Sequence, residues 1–178
     1  MSAPACPPIP ADVDAFLQHW LSLGKRGLVP TLRAYLDAPP FKLQSEVAIV
    51  DVISPTDMRF RLFGTGLSVL AGNDLTGADV LSNFHPRARS EASRIAWTAT
   101  QTPCGYIIRR DMRRETVDTS AFGIAMPLLH EQSGQIGLVG FSSILDKTND
   151  IHLSGGYQFV HTVQLIQWIN IGAGMPPA

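Results

Sequence analysis

The sequence is short of cysteine, of charge and of long apolar runs, and each shortage excludes something. Its two cysteines, Cys6 and Cys104, stand alone, with no CxxC and no His/Cys cluster beside either. That leaves no disulfide framework and no thiolate metal site, and reduced thiols are expected. Only 16% of the 178 residues are charged, against about 25% in an average globular domain. The 14 Lys and Arg nearly cancel the 15 Asp and Glu, for a net charge of -1. A chain so balanced carries no overall field for nucleic acid or an anionic membrane. The start, Met1 to Pro8, has neither the basic nor the apolar region of a signal peptide. The longest uncharged stretch, Ile151 to Ala178, is broken by glycines and polar side chains, so no segment reads as a bilayer span. The expectation is a soluble, cytoplasmic protein with no nucleic-acid or membrane partner.

What the chain does have is apolar content: 45% hydrophobic residues and 15 glycines. Disorder as the main state is excluded, because disorder goes with low hydrophobicity and high net charge. The length suits one domain with extensions, large enough to bury about 70% of its unfolded surface without a metal or disulfide.

Residues 1–11 hold four prolines and read as a flexible lead-in. Asp12 then suits an N-cap, and Val13, Phe16, Leu17, Trp20 and Leu21 follow at helical spacing up to Gly24. A short helical piece is expected from Thr31 to Leu36, completing an N-terminal helical extension over 12–45. From Glu46 the texture turns to strands. Val47 to Ile53 is nearly all apolar and β-branched, Ser54-Pro55-Thr56-Asp57 is turn chemistry, and Met58 to Phe63 alternates; together they predict a hairpin. Two short helical segments follow, the first at Leu67 to Ala71 and the second ending near Phe84. A longer helix then opens at His85-Pro86 with Ala88, Ala92, Ile95 and Ala99 as its buried stripe. Gly105 to Arg109, Thr116 to Leu129 and Ile136 to Leu145 read as strands, with turns at Asp111 to Arg114 and Glu131 to Gly134. After the polar break Asp146 to Asp150, Phe159, Val160, Val163 and Ile166 fit a helix within Tyr157 to Ile169, so 147–178 is expected to be a helical extension. Sequential antiparallel strands with helices gathered between them indicate an α+β domain over 46–146. Its five-stranded sheet would carry helices over one face.

Two motifs narrow the class. Arg59-Phe60-Arg61-Leu62-Phe63-Gly64-Thr65-Gly66, followed by Gly72-Asn73-Asp74-Leu75-Thr76-Gly77, resembles the "RYRLAGT … G-x-DLTG" signature of the stand-alone PAS-like domain family of proteobacteria. Pro127-Leu128-Leu129 resembles that family's "lPL" strand, and Trp20 with Gly27-Leu28-Val29-Pro30 its N-terminal "W … g-x-lP" segment. Ala38-Pro39-Pro40-Phe41 departs from the pattern, which usually has an Asp-Pro step. The resemblance covers Trp20 to Leu145. It implies a sensory or regulatory module that binds a small molecule or a protein partner between sheet and helices and signals through protein–protein contact. It also implies dimerisation through the N-terminal helix, and carries over no nucleophile, base or metal ligand.

The residues themselves agree that no catalytic motif is complete. Gly64-Thr65-Gly66 lacks the Gly-Lys-Ser/Thr of a phosphate loop and reads as a strand exit using glycine's freedom at positive φ. Gly140-Phe141-Ser142-Ser143 is not GxSxG. The five histidines form no ligand pair; His85 is read as a cap for the helix that Pro86 begins or as a solvent-facing side chain, while the resemblance implies an axial haem ligand as the sharper alternative, since haem-binding PAS domains use a helical histidine. Arg109, Arg110, Arg113 and Arg114, interleaved with Asp111 and Glu115, read as a solvated hairpin. Cys104 sits in a helix exit without the electropositive setting that a reactive thiol needs. No cofactor is identified.

The cavity is the better site hypothesis, mostly apolar with a few polar anchors. Alternation assigns Val50, Val52, Phe60 and Leu62 to its floor. Leu67, Leu70, Leu75, Phe84 and Ile95 would form its helical wall, and Ile107, Ile124, Met126 and Phe141 its far side. Arg61, Tyr106 and Ser142 would be polar anchors. The alternative is that these residues simply fill a dry core. Phe16, Leu17 and Trp20 form the stripe expected to pair two chains in a homodimer, if it does not cover the chain's own sheet. Competing readings are a carrier or scaffold domain without signalling, and an enzyme; titratable side chains converging in the cavity would favour the enzyme.

Overall fold

The computed structural model describes residues 8–40, 42–114, 117–144 and 159–176. The lead-in up to Pro7, residues 115–116 and the polar break at Asp146 to Asp150 lie outside them.

Helix α1 (Ala11–Ser22) begins two residues earlier than an Asp12 cap implies: Pro10 holds the N-cap position with extended backbone. Asp12 instead accepts from the Val13 N–H at 2.9 Å and from the Ser143 hydroxyl at 2.7 Å, tying the helix start to the sheet. A two-residue hairpin, β1 (Lys25–Arg26) with β2 (Val29–Pro30), turns the chain. It leads into α2 (Leu32–Asp37), whose N-cap Thr31 hydroxyl accepts from the Ala34 N–H. Strands β3 (Val47–Ser54) and β4 (Asp57–Phe63) form the expected hairpin. Then come α3 (Thr65–Ala71), a single 3₁₀ turn at Val80–Asn83, and α4 (Pro86–Gln101) with proline in its first turn. Strands β5 (Gly105–Arg114), β6 (Val117–Leu129), β7 (Ile136–Ile144) and β8 (Phe159–Ile169) complete the chain.

Six antiparallel strands, in the order β4-β3-β7-β6-β5-β8, make one sheet, not the five expected. The sixth is the segment whose spacing suggested a helix. Val160, Thr162, Val163, Ile166 and Ile169 are β-branched and suit a pleated surface. β8 also covers the flank of β5 that would otherwise be an open edge, pairing from Gly105↔Ile169 to Arg113↔Phe159. Phe159–Ile169 is therefore part of the sheet and not helical, while 147–158 lie outside the described residues. The Asp111 to Arg114 turn is likewise strand, since β5 runs through to Arg114.

Helices pack on both faces. On one, α1 buries Val13, Phe16 and Trp20 completely against Val47, Ile49, Ile107, Phe122, Ile124, Met126, Leu128, Val139 and Phe141. The indole N–H of Trp20 donates to the Pro127 carbonyl at 3.0 Å, and Phe16 stacks on Phe141 with centroids 5.6 Å apart. The stripe assigned to a dimer, Phe16, Leu17 and Trp20, is thus spent on the chain's own sheet. On the other face, α4 lays Ala88, Ile95, Ala96 and Ala99 toward the strands.

Gly64 is not at positive φ; it starts α3 with φ -62. Glycine is needed there because a Cβ would collide with the Ser45 carbonyl and lie 2.8 Å from that of Val47.

Candidate ligand-binding site

Between the sheet and its cover of α3, the 3₁₀ turn and α4 lies a cavity of about 230 Å³. The strands make the room by presenting small residues on this face. β6 turns Ala121, Gly123 and Ala125 toward the cavity and keeps Phe122, Ile124, Met126 and Leu128 for α1. Ala48 on β3, Gly140 on β7, and Ala92 and Ala96 on α4 add to the space.

The structure brings nine of the expected residues to the cavity with side chains on the correct side: Val50, Phe60, Leu67, Leu70, Leu75, Phe84, Ile95, Tyr106 and Ser142. Ile124 and Phe141 only border it, because their side chains belong to the cluster under α1, where Ile107 and Met126 also lie. Alternation along a strand sorts residues into two sets without saying which helix layer each set meets. Here the bulky set faces α1. Val52 is buried with Met58, Ile95 and Ala96 and fills core beside the cavity.

Leu62 and Arg61 miss the cavity for a different reason. Phe60 pairs with Val50 but Leu62 pairs with Ile49, so a bulge falls at Arg61 and reverses the facing of the residues after it. Phe63 reaches the cavity in place of Leu62. Arg61 sits on the other side of the hairpin, its Nε 2.8 Å from Asp51 Oδ1, on an exposed part of the edge.

The polar end of the cavity is built by Arg110, Ser142 and Tyr106. An Arg110 Nη2 donates to Ser142 Oγ at 2.6 Å, reaching from β5 to β7 across β6. Burial pushes the Tyr106 phenol up to about 12, which the Arg110 charge partly opposes and the nearby Cys104 reinforces. Its ring meets Trp168 edge-on at 6.0 Å, fixing it from β8. Asn73 and Asn83 add amide groups on the helical side, where Asn83 Nδ2 donates to the Asp79 and Val80 carbonyls.

Arg110 is the residue that sequence reasoning missed. The arginines do not all form a solvated hairpin: Arg109 faces away and lies 3.5 Å from Asp111, while Arg110 faces inward. The signal was present in Tyr106, Ile108, Arg110 and Met112, an alternating stripe with one cation in it.

Three further side chains fall outside the cavity. His85 caps α4, accepting weakly from the Arg87 N–H at 3.4 Å, and stacks on His161 of β8 at 5.2 Å. Cys104 is buried and its thiol is pushed up to about 11 by that burial. His130, also buried, lies 3.4 Å from Asp51 on the hairpin side. Among the described residues no group of three or more His, Cys, Asp or Glu side chains converges to hold a metal ion, and no helix is long and apolar enough to cross a membrane.

A family model described as "PAS domain" matches residues 13–142. No curated protein matches the chain. The matched span runs from the first turn of α1 to Ser142 at the cavity's polar end, and leaves β8 outside it.

Proposed function

The chain belongs to the PAS domain family, and from that membership we propose that it is a sensory module whose cavity binds a small, largely apolar molecule ending in a hydrogen-bond acceptor. The observation that carries this reading is the cavity itself: apolar walls of Phe60, Leu67, Leu70, Leu75, Phe84 and Ile95, closed at one end by Arg110, Tyr106 and Ser142. Apolar walls supply affinity through area removed from water. A few convergent donors supply orientation. An acceptor, whether carboxylate, carbonyl or hydroxyl, is the group that a guanidinium and a phenol hydroxyl complement.

Binding, and not catalysis, is the chemistry this arrangement supports. Two titratable side chains do converge in the cavity, but neither changes charge near neutral pH: burial holds Tyr106 protonated, and arginine stays charged. General acid–base work needs a group poised near the working pH. Occupancy would instead act on the cover. α3 and the 3₁₀ turn contribute Leu67, Leu70, Val80, Leu81 and Asn83 to the wall, so a guest that fills the space fixes their position against the sheet. A protein partner that contacts this cover would read the change.

The test is a titration of ¹⁵N-labelled protein with octanoate, phenylacetate and 1-octanol, following amide shifts. Saturable shifts at Leu70, Ile95 and Ser142 that vanish in Leu70→Trp are expected, with the acids binding more tightly than the alcohol. Absence of saturable shifts with all three, or shifts that persist in Leu70→Trp, would contradict the reading.

A further inference from the structure

Four glycines stand inside strands of the main sheet: Gly105, Gly123, Gly137 and Gly140. Packing within the chain accounts for three of them. A Cβ on Gly105 would collide with Met126 Sδ and one on Gly137 with His130 Nε2, while one on Gly123 would press on Ile108 and Arg110. Gly140 differs. Its φ is not positive, and the nearest atom a Cβ would meet is the Ile124 carbonyl oxygen at 3.5 Å, with Ala125 Cβ and the Ala48 oxygen at 4.0 Å. Those are ordinary contacts, so alanine would fit. Glycine in a strand interior weakens the strand, and one that no neighbour requires is a common mark of a ligand coming close to the backbone.

The pairing register shows what surrounds it. Gly140 lies between Ala48 on β3 and Ala125 on β6, and the same row ends in Phe63 on β4 and Tyr106 on β5. All five line the cavity. With strands about 4.8 Å apart, the three small residues make a flat floor roughly 10 Å wide across the sheet. Ala96 of α4 packs in the same buried cluster as Ala125 and Tyr106, so the helix above this floor is small as well. Ser142, which accepts from Arg110, is two residues further along β7, about 7 Å from Gly140.

We propose that this floor is a subsite for a planar ring, so that the guest of the cavity is an aromatic monocarboxylate with its ring over Gly140 and its acid group at Arg110 and Ser142. The assignment deepens the binding reading above and rests on it. A floor broad in two directions matches the face of a ring, whereas an alkyl chain crosses it along one line and leaves contacts unmade. Phe63 and Tyr106, at either end of the row, offer a ring edge-to-face partners that a chain cannot use. The step from Gly140 to Ser142 sets a short linker between ring and acid.

Isothermal titration calorimetry at neutral pH measures 3-phenylpropanoate, 3-cyclohexylpropanoate and octanoate against the full chain, as wild type and as Gly140→Ala. The cyclohexyl acid has the linker and charge of the phenyl acid but a puckered ring. Wild type should bind the phenyl acid at least tenfold more tightly than either of the others. Gly140→Ala puts a methyl group under the ring. It should weaken the phenyl acid at least tenfold and octanoate by less than threefold, while its urea midpoint stays at or above that of wild type, as for glycine replaced without strain. The ring subsite is overturned, and the acid-binding cavity left standing, if the cyclohexyl acid or octanoate binds wild type as tightly as the phenyl acid. Equal losses for all three acids in Gly140→Ala have the same meaning. A lowered urea midpoint would show that the chain itself requires the glycine, and overturns it too. Binding of none of the three acids to wild type overturns both the subsite and the reading on which it rests.

Discussion

Arg110 and Ser142 sit on strands that are not neighbours, yet an Arg110 Nη2 lies 2.6 Å from Ser142 Oγ. Between them runs β6, and the residue crossed is Gly123, paired with Ile108 on one side and Ser142 on the other. A Cβ on Gly123 would lie 3.4 Å from Arg110 Nη2 and 3.2 Å from Ile108 Cγ1. The absent side chain is the path by which the guanidinium reaches the polar end of the cavity.

Gly123→Val blocks that path. A branched side chain there displaces the guanidinium, so octanoate affinity should fall at least tenfold while 1-octanol binding changes less. Ser142→Ala removes a hydroxyl partner of the guanidinium; a hydrogen bond to a charged group contributes about 1.5–3 kcal/mol, and partial exposure places the expected loss at the lower end. Urea unfolding of Ser142→Ala, with the octanoate titration of both variants, checks the pair.

Trp20 is the anchor of α1. Trp20→Ala should cost roughly 3–5 kcal/mol through lost burial and the cavity left behind. Trp20→Phe keeps most of the area but loses the donor to the Pro127 carbonyl, for about 1 kcal/mol. Urea midpoints should rank wild type above Trp20→Phe above Trp20→Ala. Equal midpoints would mean that α1 is not held to the sheet through this residue.

How far the sequence reaches is clear from these elements. The β3–β4 hairpin, α2 and the start of α4 are legible because turn residues, prolines on either side of 31–36 and a first-turn proline are local signals. The bulge at Arg61 is not local: it is defined by pairing with Ile49 and Val50 across the hairpin, and it moves Leu62 off the cavity. β8 reads as helix because four apolar residues fall at helical spacing, and becomes strand because β5 needs a partner. Ile107, Ile124, Met126 and Phe141 read as one inward set, but nothing along a strand says that α1 claims the bulky set. The cavity is found where β6 is small, at Ala121, Gly123 and Ala125, the reverse of the signal that large apolar residues give.

Acid should weaken the fold through His130. Burial holds its imidazole below its ordinary value of 6.5, with Asp51 opposing the shift and Arg61 adding to it. A histidine with a lowered folded pKa binds fewer protons folded than unfolded. Its contribution is therefore complete above the unfolded value and is lost as pH falls through the folded one. The urea midpoint should drop between about pH 7 and pH 5, and His130→Gln should flatten part of that slope. A slope unchanged by the substitution would assign the acid sensitivity to other groups.

Cys104 should be inert. Its thiol is buried and pushed up to about 11, so almost no thiolate exists at neutral pH to react. In a Cys6→Ser background, iodoacetamide should leave the native protein unmodified and label it fully in urea. Rapid labelling of the native state would show that the helix exit at Cys104 opens readily.

The most direct test of the binding claim is the native mass spectrum of the purified protein after incubation with octanoate, for wild type and Leu70→Trp side by side. The account predicts one octanoate retained per wild-type chain and none on Leu70→Trp, whose indole occupies the space between α3 and the sheet. Octanoate retained equally by both proteins, or by neither, would contradict it.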